Sequence, residues 1–487
     1  MRLTTAQRNK PIVAEPGTRS PQSGAVSTVR RRRAPAAGVD HSLPDRTPHS
    51  SGRRRCALHA VAGGLATLLL SAGVSAPDPD PAHASPKPAA ESDAGLGELV
   101  VTASDKLSVS LVLPRIGVVA DDGDARRMRN LIARDLDLSG EFEVIELAAP
   151  EATADQWREE KVRFLVRVSV ASRPDRRYDG GVELVDVVSQ AVVFESRRTL
   201  DAAQLRGGGH EFSDRIIEAV TGDLGSFHSR LTFVGGDGKR RQVHVIDPDG
   251  MRLETISPPE HVAAAPAFGP NEQLFYLASV ERHPFRLFRA GMAEPVDIGR
   301  SGSLYGLAFS PDRKSSALSI ATPEGIRVIV GRASFDGWTE RTGLLLALHP
   351  SFDSDHQLAY AGTRKRLQRV YVGERAVSIA GYSASSPTFC HHPGGTRLVY
   401  SVGTRRSAHI VVSDLRGRDP VRLTQTRGRH TAPACSPDGR LIAFFSTRTS
   451  GEGPGLYVMR LDGRRPRKIA DVLGHSLRWS NRNTLAP

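Results

Sequence analysis

A repeated motif in the second half of the 487-residue chain constrains its fold more than any other feature. Each repeat has an apolar anchor residue followed by a turn rich in Pro, Asp and Gly. The anchors are Phe268, Phe309, Phe352, Phe389, Cys435 and Trp479, at spacings of 41, 43, 37, 46 and 44 residues. The fifth repeat reads as strands at 441–445, 455–459 and 467–469 after its anchor strand, with hairpin-turn residues at 462–463. Four short strands per repeat, with a turn at fixed phase, are typical of a β-propeller blade.

The number of anchors predicts the number of blades. Six anchors fall within residues 225–487, so we predict a six-bladed β-propeller there. The region opens with strand patterns at 231–234 and 243–246 that lack an anchor strand, whereas almost nothing follows Trp479. Pairing the last strand with these opening strands would close the ring and hide both sheet edges.

Residues 98–224 mix helical and strand patterns, which predicts an α+β amino-terminal domain ahead of the all-β propeller. Strands are expected at 111–120, 142–147 and 164–168, a hairpin at 182–196, and helices at 125–138 and 211–224. Asp121, Asp122 and Asp124 precede the first helix, where acidic residues are more typical of a turn and helix cap than of a metal site.

The net charge of +13 sits mainly in the leader, since residues 1–60 carry +9 and the remainder only +4. This distribution removes the charge-based case for nucleic-acid binding. Three arginines at 53–55 precede an apolar run at 57–76, which is typical of a secretory signal peptide. We expect cleavage after Ala84, with Ala76 as the alternative site. Two other possibilities stay open, namely that the apolar run is retained as a membrane anchor and that export uses a twin-arginine route. Cys56 lies ahead of the apolar run, which excludes a lipoprotein.

These patterns divide the chain into four parts. Residues 1–84 are expected to form a disordered basic leader and signal peptide, and 85–97 a linker and amino-terminal segment. The α+β domain follows at 98–224 and the propeller at 225–487.

Cys390 and Cys435 are the cysteines of the mature chain, too few for a disulfide framework or a four-ligand zinc site. Cys435 takes the place of an aromatic anchor, so we expect it to fill core volume. Cys390 comes one position after its anchor and should face the other way. This register predicts that the two cysteines are not bridged.

Motifs for catalysis or metal binding are missing. The sequence has no Gly-x-Ser-x-Gly motif, and 247–250 reads as a hairpin turn that lacks the other ligands of a calcium loop. The pair His391-His392 has no spaced partners for a metal. We therefore expect no catalytic residue, cofactor or metal. Three other histidines, His261, His430 and His475, precede anchors by four to seven residues and should share one rim, where we favour a protein-binding face.

Several segments resemble the TolB family, the periplasmic component of the Tol–Pal envelope system. In the propeller the resemblance rests on 308–312 (AFSPD), 434–439 (ACSPDG), 456–459 (LYVM) and 477–480 (LRWS). In the amino-terminal domain it rests on 116–119 (IGVV), 134–142 (RDLDLSGEF) and 210–222 (HEFSDRIIEAVTG), and at the junction on 227–234 (FHSRLTFV).

The resemblance implies a non-enzymatic, monomeric periplasmic adaptor that supports outer-membrane integrity and constriction at cell division. A TolA-like inner-membrane protein would bind the amino-terminal segment at Glu98, Leu99, Val100 and Val101. A Pal-like peptidoglycan-associated lipoprotein would bind the propeller mouth through Ser303, Leu304, Tyr305 and Gly306 and through Arg429, His430 and Thr431. The segment at 303–305 departs from the family, which tends to carry a polar His/Asn stretch there.

Two enzyme-class alternatives stay open at this point. A propeller hydrolase or lactonase needs a metal on the axis with ligands from several blades. A propeller subunit of a peptidase needs a partner chain that carries the nucleophile. For the adaptor, we expect occupancy of the mouth to bias the availability of the amino-terminal segment, so that the two partners affect each other's binding.

Overall fold

Described residues in the computed structural model are 113–120, 123–146, 153–364, 366–404 and 406–481. The predicted leader, the cleavage sites and the segment Glu98 to Val101 lie outside these residues, as do Asp121 and Asp122. The structure confirms the predicted fold class, an α+β domain followed by a six-bladed β-propeller.

The amino-terminal domain is a five-stranded sheet in the order β2-β1-β3-β4-β5. Its elements are β1 Arg115–Ala120, α1 Gly123–Ser139, β2 Glu143–Ile145, α2 Ala154–Glu159, β3 Phe164–Ser172, β4 Tyr178–Asp186, β5 Val192–Leu200 and α3 Leu205–Thr221. β1 pairs in parallel with β2 and β3, whereas β3, β4 and β5 form an antiparallel meander. The predicted helices and strands are present, and α2 is an additional helix.

Helices α1 and α3 pack against each other and against the sheet. In α1 the buried side chains Met128, Ile132 and Leu136 recur at helical spacing and form one apolar face. In α3, Gly208 allows close packing, because a Cβ there would lie 2.4 Å from a methyl carbon of Leu200. These contacts give the domain one core, which continues into the propeller.

The propeller consists of six small antiparallel sheets. Blade 1 contains β9 Val262–Phe268, β10 Leu274–Ser279 and β11 Arg286–Arg289. Blade 2 contains β12 Leu304–Phe309, β13 Ser315–Thr322, β14 Gly325–Arg332 and β15 Thr339–Glu340. Blade 3 contains β16 Ala347–Phe352, β17 Leu358–Arg364, β18 Leu367–Val372 and β19 Arg375–Ala376. A short 3-10 helix, Pro270–Glu272, occupies the first turn of blade 1.

Blade 4 contains β20 Ser383–His392, β21 Gly395–Gly403, β22 Ala408–Ser413 and β23 Val421–Arg422. Blade 5 contains β24 His430–Cys435, β25 Leu441–Ser446, β26 Gly455–Arg460 and β27 Arg467–Ala470. Blade 6 combines β28 Gly474–Trp479 from the end of the chain with β6 Leu231–Gly235, β7 Gln242–Ile246 and β8 Glu254–Thr255 from the start of the domain.

Closure of the ring follows the prediction. The C-terminal β28 pairs antiparallel with β6, with Trp479 opposite Leu231 and Gly474 opposite Gly235. The six innermost strands, β9, β12, β16, β20, β24 and β28, each contact the next around a full circle. The ring is therefore held by strand pairing between the two ends of the domain, and the terminal strand leaves no open edge toward the first blade.

The two cysteines correct one prediction, because Cys390 and Cys435 form a disulfide with their Cα atoms 5.4 Å apart. The alternation that argued against a bridge in fact produces it. Blades stack face to face, so the anchor Cys435 faces back toward blade 4, while Cys390, one position after its anchor, faces forward toward blade 5. Because the two cysteines face each other from neighbouring blades, their sulfur atoms come together. Cys435 therefore forms a cross-link and does not merely fill core volume.

Candidate functional site

The two ends of the propeller differ in what covers them. The six innermost strands begin at one end, which we call the mouth, and the turn after each anchor lies at the other end. Interdomain hydrogen bonds occur at the turn end, where Arg465 donates to the Phe142 carbonyl at 2.9 Å and Arg460 donates to the Gly140 carbonyl at 2.9 Å. The described part of the amino-terminal domain thus docks on the turns and does not cover the mouth.

The first predicted mouth segment, Ser303 to Gly306, lies at the start of β12 in blade 2. Ser303 Oγ accepts a hydrogen bond from the Phe285 amide at 3.1 Å, and Leu304 is buried. The ring of Tyr305 is half-buried, with its centroid 6.4 Å from that of Phe285. Gly306 lines the central channel. Within this segment, Tyr305 is the large side chain that keeps accessible surface.

The second predicted segment, Arg429 to Thr431, lies at the start of β24 in blade 5, across the channel from blade 2. The Arg429 guanidinium lies 3.4 Å from the Thr404 carbonyl. His430 is buried, with Nε2 3.0 Å from the Thr426 carbonyl oxygen. The structure therefore places both segments around one opening without direct contact between them, and His430 belongs to its wall.

The three rim histidines also lie at the mouth. His261 is buried and its Nδ1 is 2.9 Å from the Tyr276 hydroxyl, so it is held in the wall like His430. His475 on β28 retains some exposure. Burial, together with the nearby Arg241 charge, lowers the pKa of His475 to about 4, so this ring is neutral at pH 7. The mouth histidines are hydrogen-bonding groups rather than charges.

Inside the channel the structure brings together two residues that sequence reasoning missed, Arg478 and His349. Both line a cavity to which the innermost strands of all six blades contribute. Arg478 reaches across from blade 6, and its Nη2 donates to the Pro350 carbonyl of blade 3 at 3.2 Å. An alignment of the six repeats on their anchors would have revealed it, because Arg478 occupies the position directly before the anchor, where the other blades carry Ala, Ser or Thr.

A second group of charges joins the two domains at the turn end. Arg206 of α3 contacts Asp247 at 2.7 Å and Asp249 at 2.5 Å, and both carboxylates are almost fully buried. Arg134 of α1 adds two donors to the Asp249 carbonyl, at 2.9 and 2.7 Å. The predicted hairpin turn at 247–250 is present, and it also serves as the anchor point of the amino-terminal domain.

His210 extends this group into the amino-terminal core, where its Nδ1 lies 2.7 Å from Asp135 Oδ2. Ligand-type atoms of His210, Asp247 and Asp249 lie within 4.8 Å of one another, an arrangement that resembles a metal site. However, the guanidinium of Arg206 already binds both carboxylates, and His210 already pairs with Asp135. Ion pairing between the domains accounts for the arrangement.

We predict that His210 makes stability depend on pH in the alkaline range. Burial alone would lower the pKa of His210, but the Asp135 carboxylate outweighs it and raises the pKa to about 10. Because the folded-state pKa exceeds the unfolded value near 6.5, the stabilisation is fully present below pH ~6.5 and is lost as the pH rises through about 10. The urea concentration at the midpoint of unfolding should therefore decrease as the pH rises from 7 to 10. The decrease should be smaller for His210→Gln. The exposed His356→Gln serves as control and should keep the wild-type slope.

Comparisons with known proteins agree with this architecture. The TolB amino-terminal domain family matches residues 100–193. A Tol-Pal system protein TolB from Albidiferax ferrireducens is 32% identical over 171 residues, covering 34% of this chain and 40% of that protein. The counterpart from Bordetella pertussis is 28% identical over 167 residues, covering 33% and 38%. The amino-terminal region of the chain thus matches the TolB amino-terminal domain.

A solved member of the TolB family supports the fold beyond the matched segment. The crystal structure of TolB from Acinetobacter baumannii aligns with a TM-score of 0.62 over 76% of this chain and 97% of that chain, at 18% identity. At this identity the likeness concerns the fold alone. The matched segments span about two fifths of the length of the curated TolB relatives, 40% and 38%. Among the described residues, no helix combines the length and apolar character needed to span a membrane.

Proposed function

We propose that the protein is a non-enzymatic periplasmic adaptor of a Tol–Pal-type envelope complex. Its propeller mouth binds a Pal-like peptidoglycan-associated lipoprotein, and its amino-terminal segment at 98–101 binds a TolA-like inner-membrane protein. The match to the TolB amino-terminal domain supports this proposal, as does the similarity to relatives that are Tol-Pal system proteins. The observation that carries it is the mouth, which no described residue of the amino-terminal domain covers and around which the segments at 303–306 and 429–431 are arranged, while that domain docks on the opposite end.

The channel argues against the propeller-enzyme alternatives. A metal on the axis requires carboxylate ligands from several blades, whereas the residues that line the described cavity include no Asp or Glu. The sequence also has no Gly-x-Ser-x-Gly motif to supply a nucleophile. The lining instead presents backbone, small side chains, one histidine and one arginine, which suit recognition of another protein.

The experiment that tests the proposal is capture from envelope extract with the mature chain as bait, followed by mass spectrometry. The expected result is enrichment of a Pal-like lipoprotein and a TolA-like protein over a bait that carries only the affinity tag. The double variant Tyr305→Ala/Arg429→Ala should lose the lipoprotein and keep the TolA-like protein. Failure to enrich either partner, or stoichiometric metal together with hydrolase activity in the purified chain, would refute the adaptor.

We also propose that the two partners are coupled through this chain. If binding at the mouth shifts the availability of the amino-terminal segment, each partner changes the affinity for the other by the same factor. Calorimetric titration of the TolA-like domain, with and without a saturating amount of the lipoprotein domain, measures that factor directly. We expect a change of about fivefold or more, the usual lower range for coupled sites. Identical affinities in the two titrations would rule out coupling.

A further inference from the structure

Arg478 is the one large cationic residue at its position in the repeat. The equivalent residues directly before the other anchors are Ala267, Ala308, Ser351, Thr388 and Ala434. The small side chains of Ala267, Ala308 and Ala434 pack in the hydrophobic core, whereas the Arg478 side chain of the sixth blade lines the channel cavity. Packing alone does not explain why this one repeat has an arginine at this position.

The charge of Arg478 has no counter-ion among the described residues. Its hydrogen bonds go to two backbone carbonyls, Pro350 at 3.2 Å and Leu477 at 3.4 Å, so part of its donor capacity is unused. Burial lowers the pKa of Arg478 to about 10, and no neighbouring carboxylate offsets that effect. At pH 7 the channel thus holds a full positive charge that is desolvated and unpaired, which is costly unless a ligand compensates it.

His349 supplies a second unsatisfied group in the same cavity. Its Nδ1 is buried and has no hydrogen-bond partner. Burial, with the Arg478 charge as the next cause, lowers the pKa of His349 to about 4, so the ring is neutral at pH 7 and carries one N–H donor. A cation and a free imidazole nitrogen that share a cavity without acidic lining residues form the donor set of a carboxylate site.

The loops around the mouth carry positive charge, as the channel does. Each of six exposed arginines on these loops lacks an ion-pair partner among the described residues: Arg282, Arg300, Arg341, Arg366, Arg406 and Arg427. These loops belong to blades 1 to 5, so the positive charge lies around most of the opening, whereas the loops next to blade 6 carry Asp237, Glu260 and Asp471. Such a collar attracts and orients an acidic protein surface rather than a basic one.

We propose that Arg478 and His349 form a carboxylate-binding site inside the channel, which receives an Asp or Glu side chain of the protein that docks on the mouth. The inference rests on the proposed function, because it assigns a specificity-determining contact to the same interface. The basic collar steers the partner's acidic surface, and the inserted carboxylate accepts hydrogen bonds from Arg478 and His349.

The test compares wild type with Arg478→Met in the mature chain, using the soluble domain of the Pal-like lipoprotein as ligand. We expect Arg478→Met to weaken binding at least tenfold, because truncating one partner of a buried charge pair carries a large penalty. Its Tm should stay the same or rise, since the variant removes an unpaired buried charge. The matched control Arg332→Met removes an exposed arginine on the outer part of blade 2 and should bind like wild type.

Two results distinguish failure of the inference from failure of the proposed function. In the first, wild type binds the lipoprotein domain and Arg478→Met binds it equally well but has a lower Tm. Arg478 then only stabilises the channel by its contact with blade 3, and the inference is wrong. If wild type does not bind that domain, sodium acetate replaces it as probe. Acetate should then raise the Tm of wild type more than equimolar sodium chloride does, and Arg478→Met should lose this difference. An equal acetate effect on both proteins would overturn the carboxylate site.

Discussion

Replacing Arg206 by methionine is expected to lower the free energy of unfolding by about 3–5 kcal/mol, the usual cost of leaving a buried charge unpaired. Arg206 pairs with both Asp247 and Asp249, and the Asp249 side chain is only 1% exposed. Without the guanidinium, two carboxylates remain close together in the interface between the domains. Differential scanning calorimetry of the mature chain should show an earlier transition, as the amino-terminal domain separates from the propeller.

Two further variants give this prediction its controls. Adding Asp247→Asn and Asp249→Asn to Arg206→Met should restore part of the lost stability, because the unpaired charges are then removed as well. Arg158→Met breaks the exposed pair with Asp155, whose side chain is 83% exposed, and should change stability by less than about 1 kcal/mol. An Arg206→Met protein as stable as Arg158→Met would show that the network does not hold the domains together.

Loss of the disulfide is expected to lower the free energy of unfolding by an amount similar to that for Arg206→Met. The bridge links residues 45 positions apart, and closing a loop of that length restricts the unfolded chain by about 4 kcal/mol in the chain-entropy model. The variant Cys390→Ala/Cys435→Ala should therefore unfold at a clearly lower urea concentration than wild type. Wild type treated with a thiol reductant should approach the variant, whereas the variant should not respond to reductant.

Thiol titration provides the decisive check of the bridge. The mature chain, unfolded in guanidinium without reductant, should show no free thiol, because Cys390 and Cys435 are paired and Cys56 lies in the predicted leader. Two free thiols per chain would contradict the bridge. Such a result would return Cys435 to the space-filling role that the sequence pattern alone suggested.

The propeller could be predicted from sequence because its signal is local and repeated. Phe309 and the residues after it form a strand end and turn that depend on neighbours a few positions away, and six copies reinforce one another. The missed helix α2 also had a local signal, since Thr153 and Gln156 form a capping box ahead of the buried Trp157. Its short length of six residues hid it from an argument based on apolar periodicity.

The sites were harder to predict because they depend on pairs of residues that are distant in the chain. His210 and Asp135 are 75 residues apart, and no periodicity links them. The disulfide was misjudged because alternation along one strand was considered without the stacking of one blade on the next. Arg478 stands out only when all six anchors are aligned, and its lack of a counter-ion is visible only in three dimensions.

Calorimetric titration of the mature chain with the soluble domain of the Pal-like lipoprotein tests the central claim most directly. We predict saturable binding with one lipoprotein domain per chain, which weakens as ionic strength increases because the mouth is basic. Binding should be abolished or strongly reduced by substitutions at 303–306 or 429–431 and unaffected by Arg158→Met. Absence of binding, or binding that ignores every mouth substitution, would contradict the account.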